Sequence, residues 1–438
     1  MKLTFRRHSL DLLPDPTLIP WLIKWLFLAS LVAALAGSAS ALFLYCLEWA
    51  TDTRLAHPQL IWLLPFAGFA MGWVYLHAGQ SVEAGNNLLI DEVHAPQKTI
   101  PLRMAPLVMG ATVVSHLTGA SVGREGTAVQ MGGALADQVV RLLRLSAEDR
   151  RILLMSGVSA GFASVFGTPL AGAIFGLEMM AIGRIRYGSL LACFVAAIVA
   201  DQVSLAWGVH HTLYPVGALP PVTLWGLAAM TVAGIAFGAT GRLFAMLTHH
   251  LGRAFKRAVP YGPLRPFIGG LLIALVAWLC HAQHYLGLGV PTIVSAFEQP
   301  LPAHEFITKL GFTVASLASG FKGGEVTPLF YIGATLGNAL APLLHMPFQV
   351  LAAAGFVAVF AGAANTPLAC TFMAIELFGS GMGVYAGLAC VISYLFSGYT
   401  SIYRAQRVAT AKYRAVPENI KLDDVPAWQQ QRQHAPRE

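Results

Sequence analysis

The sequence predicts an all-α polytopic membrane protein on three observations: an apolar composition, long uncharged runs, and basic residues gathered at the ends of those runs. Hydrophobic residues fill 56% of the 438 positions, and Asp, Glu, Lys and Arg only 11%, against roughly 25% charged residues in soluble domains. Mean hydropathy is +0.62. Residues 25–47, 61–82 and 222–241 lack all four charged types, each for about the 20 residues that a spanning helix needs. Residues 326–375 are also uncharged throughout. Basic residues cluster at the N-terminus (Lys2, Arg6 and Arg7), in 141–151, at Arg184 and Arg186, in 242–257, and after Tyr403. Cytoplasmic segments carry the excess of Lys and Arg, so these clusters are expected inside, and residues 207–221 and 284–302, without Lys or Arg, outside. Both termini are then cytoplasmic, which requires an even number of crossings. The net charge of +7 is accounted for by topology and anionic lipid, not by nucleic acid.

Taken in order, the N-terminus imitates a signal peptide, with basic residues before an apolar run that reaches the small residues of AGSASA. Its length argues against that: about twenty residues precede the run, Lys24 interrupts its start, and it continues to Leu47 as a first spanning helix would. The 43 Gly and 25 Pro spread through the apolar runs mean short, broken or tilted helices. Lipid tolerates these only where protein or a cavity satisfies the freed backbone groups, a trait of transporters. Cys46, Cys193, Cys280, Cys370 and Cys390 sit in apolar runs without CxxC spacing and read as small core residues, with no metal site or redox role. No sustained apolar period follows Arg404, so residues 404–438 are expected to be a polar cytoplasmic tail and residues 1–403 the transport domain.

The stretch SVGREGTAVQM, beginning at Ser121, carries the chemistry. It sets Arg124 and Glu125 between Gly123 and Gly126 in an apolar chain, and ionisable groups at membrane depth usually face a polar cavity or ion path. A glycine turn that opens a helix points free N–H groups and the positive dipole end at an anion. The other reading is a structural Arg124–Glu125 pair. A second polar turn, AGNNLLIDEVH from Ala84, offers the amides of Asn86 and Asn87 beside Gly85, as anion donors or as a helix cap.

An internal repeat divides the chain into halves of roughly 20–208 and 221–403. FASVFGTPLAGAIFGLE from Phe162 matches FAGAANTPLACTFMAIE from Phe360 without a gap. Upstream of each lies a glycine-rich stretch, GREGTAVQMGG and GGEVTPLFYIGA. Transporter repeats place the substrate at their interface near mid-membrane. Glu178 and Glu376, which close the two copies, are expected to be structural.

With GREGT, an earlier glycine turn, GGxxxP in the second half and a late tyrosine, the sequence resembles the CLC family of anion channels and proton-coupled anion exchangers up to about Tyr403. The resemblance implies a CLC-type fold of tilted and partial helices in two inverted-topology repeats. It also implies a homodimer with one anion pathway per subunit, and a gating glutamate at Glu125 that competes with the anion when ionised and swings away when protonated. Anion contacts fall on Gly85, Asn86, Asn87, Gly123, Arg124, Gly126, Thr127, Val326, Thr327 and Tyr403, although Tyr399 is near enough to exchange places with Tyr403. The departures are similar to the bacterial fluoride-exporting branch: Asn86 stands where chloride-conducting members have serine, Glu325, Val326 and Thr327 where apolar groups are usual, and Met179 where chloride/proton exchangers carry an inner proton-relay glutamate. Glu325 could replace that relay or simply pair with Lys322.

Fluoride is small and strongly hydrated, so its site must offer close donors; Asn86, Thr327 and Tyr403 supply an amide, a hydroxyl and a phenol. The expectation is a proton-coupled fluoride antiporter of the bacterial inner membrane, needing no cofactor, with a chloride channel or chloride/proton exchanger as the alternative. No HExxH or P-loop pattern is present, which speaks against a zinc-peptidase type of enzyme or an ATP-driven pump.

Overall fold

A computed structural model describes residues 17–434 except 213, 218 and 414. The basic residues Lys2, Arg6 and Arg7 lie outside the described residues. The first half comprises α1 (Leu18–Ala56), α2 (Leu64–Val74), α3 (Asn86–His94), α4 (Met104–Thr118), α5 (Glu125–Leu142), α6 (Ala147–Phe166), α7 (Pro169–Glu178) and α8 (Leu190–Ala206). The second comprises α9 (Leu224–Ala258), α10 (Leu264–Leu279), α11 (Val290–Glu298), α12 (Glu305–Ser319), α13 (Val326–Leu344), α14 (Phe348–Ala364), α15 (Pro367–Phe378) and α16 (Gly383–Phe396). Helix α17 (Val425–His434) follows.

Hydropathy alone misjudges two runs. The uncharged stretch 61–82 is not one straight helix: a 3-10 turn at Pro58–Leu63 precedes α2, and a π turn at Tyr75–Gly79 follows it. The stretch 326–375 breaks at His345, whose left-handed conformation ends α13, and at Asn365, which ends α14.

The two halves repeat one packing solution. In lipid there is little hydrophobic drive between helices, so close backbone approach of small residues holds them together. Gly132 of α5 lies against Gly157 of α6 with no room for a Cβ on either, and Gly333 of α13 meets Gly355 of α14 in the same way. Phe162 and Phe360, the first residues of the repeated motif, stack at 6.4 Å with their planes 13° apart. The closing glutamates exchange caps. Glu178 accepts from the N–H groups of Leu368 (3.1 Å) and Ala369 (2.8 Å) at the start of α15. Glu376 accepts from Leu170 (2.8 Å) and Ala171 (2.9 Å) at the start of α7. Each TPLA motif begins its helix with a proline, which brings no N–H of its own, and the next two N–H groups are satisfied by the other half's carboxylate. Glu376→Ala should therefore cost about 1 kcal/mol of stability, the usual loss on removing a helix N-cap. Glu376→Gln, which keeps one acceptor oxygen, should recover part of it. Thermal unfolding in detergent measures both.

A buried ion cluster ties α3, α5 and α6 at one face. Arg150 donates to Asp137 (2.5 Å) and Glu92 (2.9 Å), and Asp137 also accepts from Ile100 N–H (2.6 Å). The pairs Lys24–Asp149 (2.7 Å), Arg184–Glu418 (2.6 Å) and Lys421–Asp91 (2.7 Å) bring the start of α1, the basic loops and the C-terminal segment to this same face.

That segment is more than a polar tail. Strand β1 (Ala181–Ile182) pairs in parallel with β2 (Arg407–Val408), which pairs antiparallel with β3 (Ile420–Lys421). Val408, Leu422 and Val425 pack with Ile182 against Tyr394 and Tyr399. The Gln406 amide, fully buried, bonds to Asn365, Met179 O and Ala364 O. These anchors are too few and too irregularly spaced to show as a period, and they cross the expected boundary after residue 403.

Candidate anion site

Helices α4 and α12 end in glycines with left-handed φ, Gly119 and Gly320. The loops that follow turn back and meet: Gly123 N–H donates to Gly324 O (2.6 Å), and Gly324 N–H to Gly123 O (2.7 Å). This two-residue bridge sets the starts of α5 and α13 against one another. A Cβ on Gly123 would fall 2.9 Å from Gly324 O, so only glycine permits the approach.

Glu125, the first residue of α5, is completely buried. Its carboxylate crosses to the start of α13, where it accepts from the Thr327 hydroxyl and from the Thr327 N–H at 3.1 Å. It also accepts from Arg124 N–H at 3.2 Å, and Arg124 Nε stands 3.4 Å away without a hydrogen bond. The carboxylate is thus held by backbone and hydroxyl donors as a bound anion would be. The adjacent arginine contributes charge, and the bland pairing of Arg124 with Glu125 accounts for only part of the arrangement.

On the other side of the Gly123–Gly324 bridge lies a cavity of about 460 Å³, lined by Gly85, Asn86, Asn87, Gln130, Glu325 and Tyr403. Arg253, Lys256, Arg265, Lys322 and Arg404 also line it, as does Glu83. The excess of cations favours anion occupancy of this vestibule. Asn86 begins α3 after Gly85, whose φ of 58° lets the chain enter the helix at that angle. Its Nδ2 lies 3.1 Å, and Glu325 Oε2 3.7 Å, from where a Cβ on Gly126 would sit, so the two groups flank Gly126. The Asn86 Oδ1 is buried without a partner. Lys322 does not pair with Glu325; its Nζ rests 4.2 Å from the centre of the Tyr75 ring.

Tyr403 is buried, lines the cavity, and meets Phe175 edge-on at 6.4 Å. Tyr399 packs in the β2 layer instead, its hydroxyl accepting from Lys412 N–H at 2.8 Å. Two of the expected contact residues also bond within the protein. The Thr127 hydroxyl bonds to Thr112 (2.7 Å) in α4, and Asn87 Oδ1 accepts from Ala405 N–H (2.9 Å), tying the chain after Tyr403 to α3. Val326 is buried beside Thr327 at the start of α13. Sequence reasoning missed Gln130, one turn after Gly126, and took Arg253 and Lys256 for topology alone.

Residues 67–398 match the family model described as voltage gated chloride channel. The chain belongs to this CLC family. Among curated proteins, it is 61% identical to a chloride/fluoride channel protein of Pseudomonas syringae pv. tomato, over 98% of this chain and 96% of that one. It is 30% identical to the H(+)/Cl(−) exchange transporter ClcA of Cronobacter sakazakii, over 80% and 81% respectively. Among solved structures, a CLC-type fluoride/proton antiporter superposes with a TM-score of 0.86 at 34% identity, covering 90% of this chain and 100% of that one. A slow cyanobacterial Cl−/H+ antiporter shares the fold, with a TM-score of 0.74 at 19% identity over 85% and 94%. Among the described residues of this CLC chain, five helical stretches are long and apolar enough to cross a membrane, including Leu18–Ala56 and Leu224–Ala258, with shorter apolar helices between them.

Proposed function

We propose that this protein is a transporter, not an enzyme, that exports fluoride in exchange for protons across the inner membrane of a bacterium. The observation that carries the proposal is the Glu125 carboxylate seated on the N–H and hydroxyl of Thr327, with a second carboxylate, Glu325, on the vestibule side of the same turn. Ionised Glu125 fills the place of an anion. Once protonated it is a weaker acceptor and gives up that place, and the donors at the start of α13 take the arriving anion. One group thus admits either a proton or an anion, and the two fluxes are coupled. Glu325 is placed to pass protons between the vestibule and Glu125. Asn86 Nδ2 and the Thr327 donors replace the water that fluoride must shed; Tyr403 borders the path from the vestibule. The fluoride/proton antiporter fold and the chloride/fluoride relative support this reading, and the ClcA relatives keep a chloride/proton exchanger as the other. The test is purified protein in liposomes, with ion-selective electrodes for fluoride and chloride and a pH electrode outside. Fluoride efflux with proton uptake supports the antiporter; chloride efflux alone replaces it with the exchanger or channel.

The protein acts as a homodimer in lipid, with both termini on the cytoplasmic side, the face that gathers the Arg150 cluster and β1–β3. Cross-linking in membranes should yield a dimer, and a C-terminal reporter should be active only when cytoplasmic. Monomer under cross-linking, or a periplasmic reporter, would overturn the respective part.

A further inference from the structure

Arg54, in the last turn of α1, has no counter-ion among the described residues. It is 9% exposed, its Nε is buried with no hydrogen-bond partner, and no ion pair among the described residues includes it. The nearby carboxylate, Glu305, is otherwise taken up: it accepts from Tyr285 OH (3.1 Å) and Tyr331 OH (2.7 Å), with His284 Nε2 3.6 Å away. A Cβ on Gly287 would fall 3.0 Å from Arg54 Nη2 and 3.7 Å from Nδ1 of His116, which also lacks a partner. The carbonyl of Gly287 accepts from Lys309 Nζ at 2.7 Å, a second buried basic group with no carboxylate partner among the described residues. A guanidinium stays charged in proteins, and an unpaired buried charge is strongly unfavourable. The region calls for an anion.

A cavity of about 220 Å³ opens over Arg54, lined also by Leu55, Pro58, Ile61, Gln283, His284 and Leu286. One water needs about 15 Å³ on the same measure, so the space takes a polyatomic group and not only a halide. Three lining side chains are polar and four apolar, as an amphiphile requires. Trp62 and Trp278, in ring contact at 5.7 Å, flank this end of the molecule with exposed faces, as in the aromatic belt of a membrane interface. We infer that Arg54, with Gln283 and His284, binds a phosphate oxyanion there, presented by the phosphodiester headgroup of a membrane lipid whose glycerol and upper chain lie along Leu55, Pro58 and Ile61. The fork of a guanidinium suits two phosphate oxygens at once. Its cavity shares no lining residue with the vestibule.

Native mass spectrometry of the intact protein in detergent, with phosphatidylglycerol added, tests the inference. Wild type should retain the lipid, and Arg54→Gln should bind it about tenfold less well, the loss of one hydrogen bond to a charged group. Arg54→Lys, charged but without the fork, should fall between. Gel filtration checks that each variant is folded. Should Arg54→Gln not fold, the double variant Gln283→Ala, His284→Ala, confined to a surface loop, must still show weaker retention. Inorganic phosphate in excess distinguishes the sources: if it raises the thermal midpoint of wild type but not of the arginine variants, while lipid retention is indifferent to Arg54, the site takes free phosphate. Lipid retention and phosphate stabilisation both unchanged across all the folded variants would overturn the inference.

Discussion

Glu125→Gln is expected to abolish proton-coupled transport, lowering proton uptake during anion efflux by about 100-fold or more, the lower bound for loss of a positioned proton-transfer group. The substituted amide cannot ionise, so it neither carries the proton nor presents a charged competitor to the anion. It keeps the size of glutamate and one acceptor oxygen for the Thr327 donors, and folding should survive. Anion movement is a separate readout: with the competing carboxylate gone, any remaining flux should be uncoupled and insensitive to a pH gradient. Proton uptake persisting at the wild-type ratio to anion efflux would remove Glu125 from the exchange and leave Glu325 as the group to test. Glu325→Gln should likewise reduce proton uptake, while leaving the donors on Glu125 in place.

Much of this arrangement was legible in the sequence because transporters with internal repeats write their symmetry into the chain. The GREGT turn, the GGEVT turn and the paired TPLA motifs are all visible in the sequence. The structural role expected of Glu178 and Glu376 is borne out, but the exchange of caps between halves was not legible, since no spacing links Glu376 to Leu170 across 206 positions. The Gly123–Gly324 bridge was hidden for the same reason. Composition gave the membrane class, but hydropathy could not show the π turn after α2 or the break at His345, which depend on backbone conformation rather than on polarity. Thr127 and Asn87 illustrate the opposite limit. Both carry the right chemistry in the right motif, yet Thr112 engages the Thr127 hydroxyl, and Ala405 N–H fixes the Asn87 amide through its oxygen, which leaves only Nδ2 to face an anion.

Anion choice should show the second large effect: fluoride leaving liposomes at least about tenfold faster than chloride from equal loads, a difference worth about 1.4 kcal/mol. Fluoride loses more hydration than chloride on entering the protein, so close donors must return more than that difference. Thr327 offers two donors at the start of α13, and both now serve Glu125. They become free only when that carboxylate leaves, which makes the strongest part of the site available with the proton already bound. Asn86 supplies the remaining donor, its Nδ2, from across Gly126. One hydrogen bond to a charged group is worth about 1.5–3 kcal/mol, enough for the expected discrimination. Asn86→Ser shortens the side chain and replaces the amide donor with a hydroxyl that rotates, so it should move the fluoride-to-chloride ratio toward unity by about tenfold. Thr327→Val removes a hydroxyl but keeps the N–H and should lower fluoride efflux without favouring chloride to the same degree. Initial rates from paired electrodes measure all three proteins. A wild-type ratio at or below one would overturn the fluoride reading, and an unchanged ratio in Asn86→Ser would place the selectivity elsewhere, with the donors of Thr327 as the remaining source.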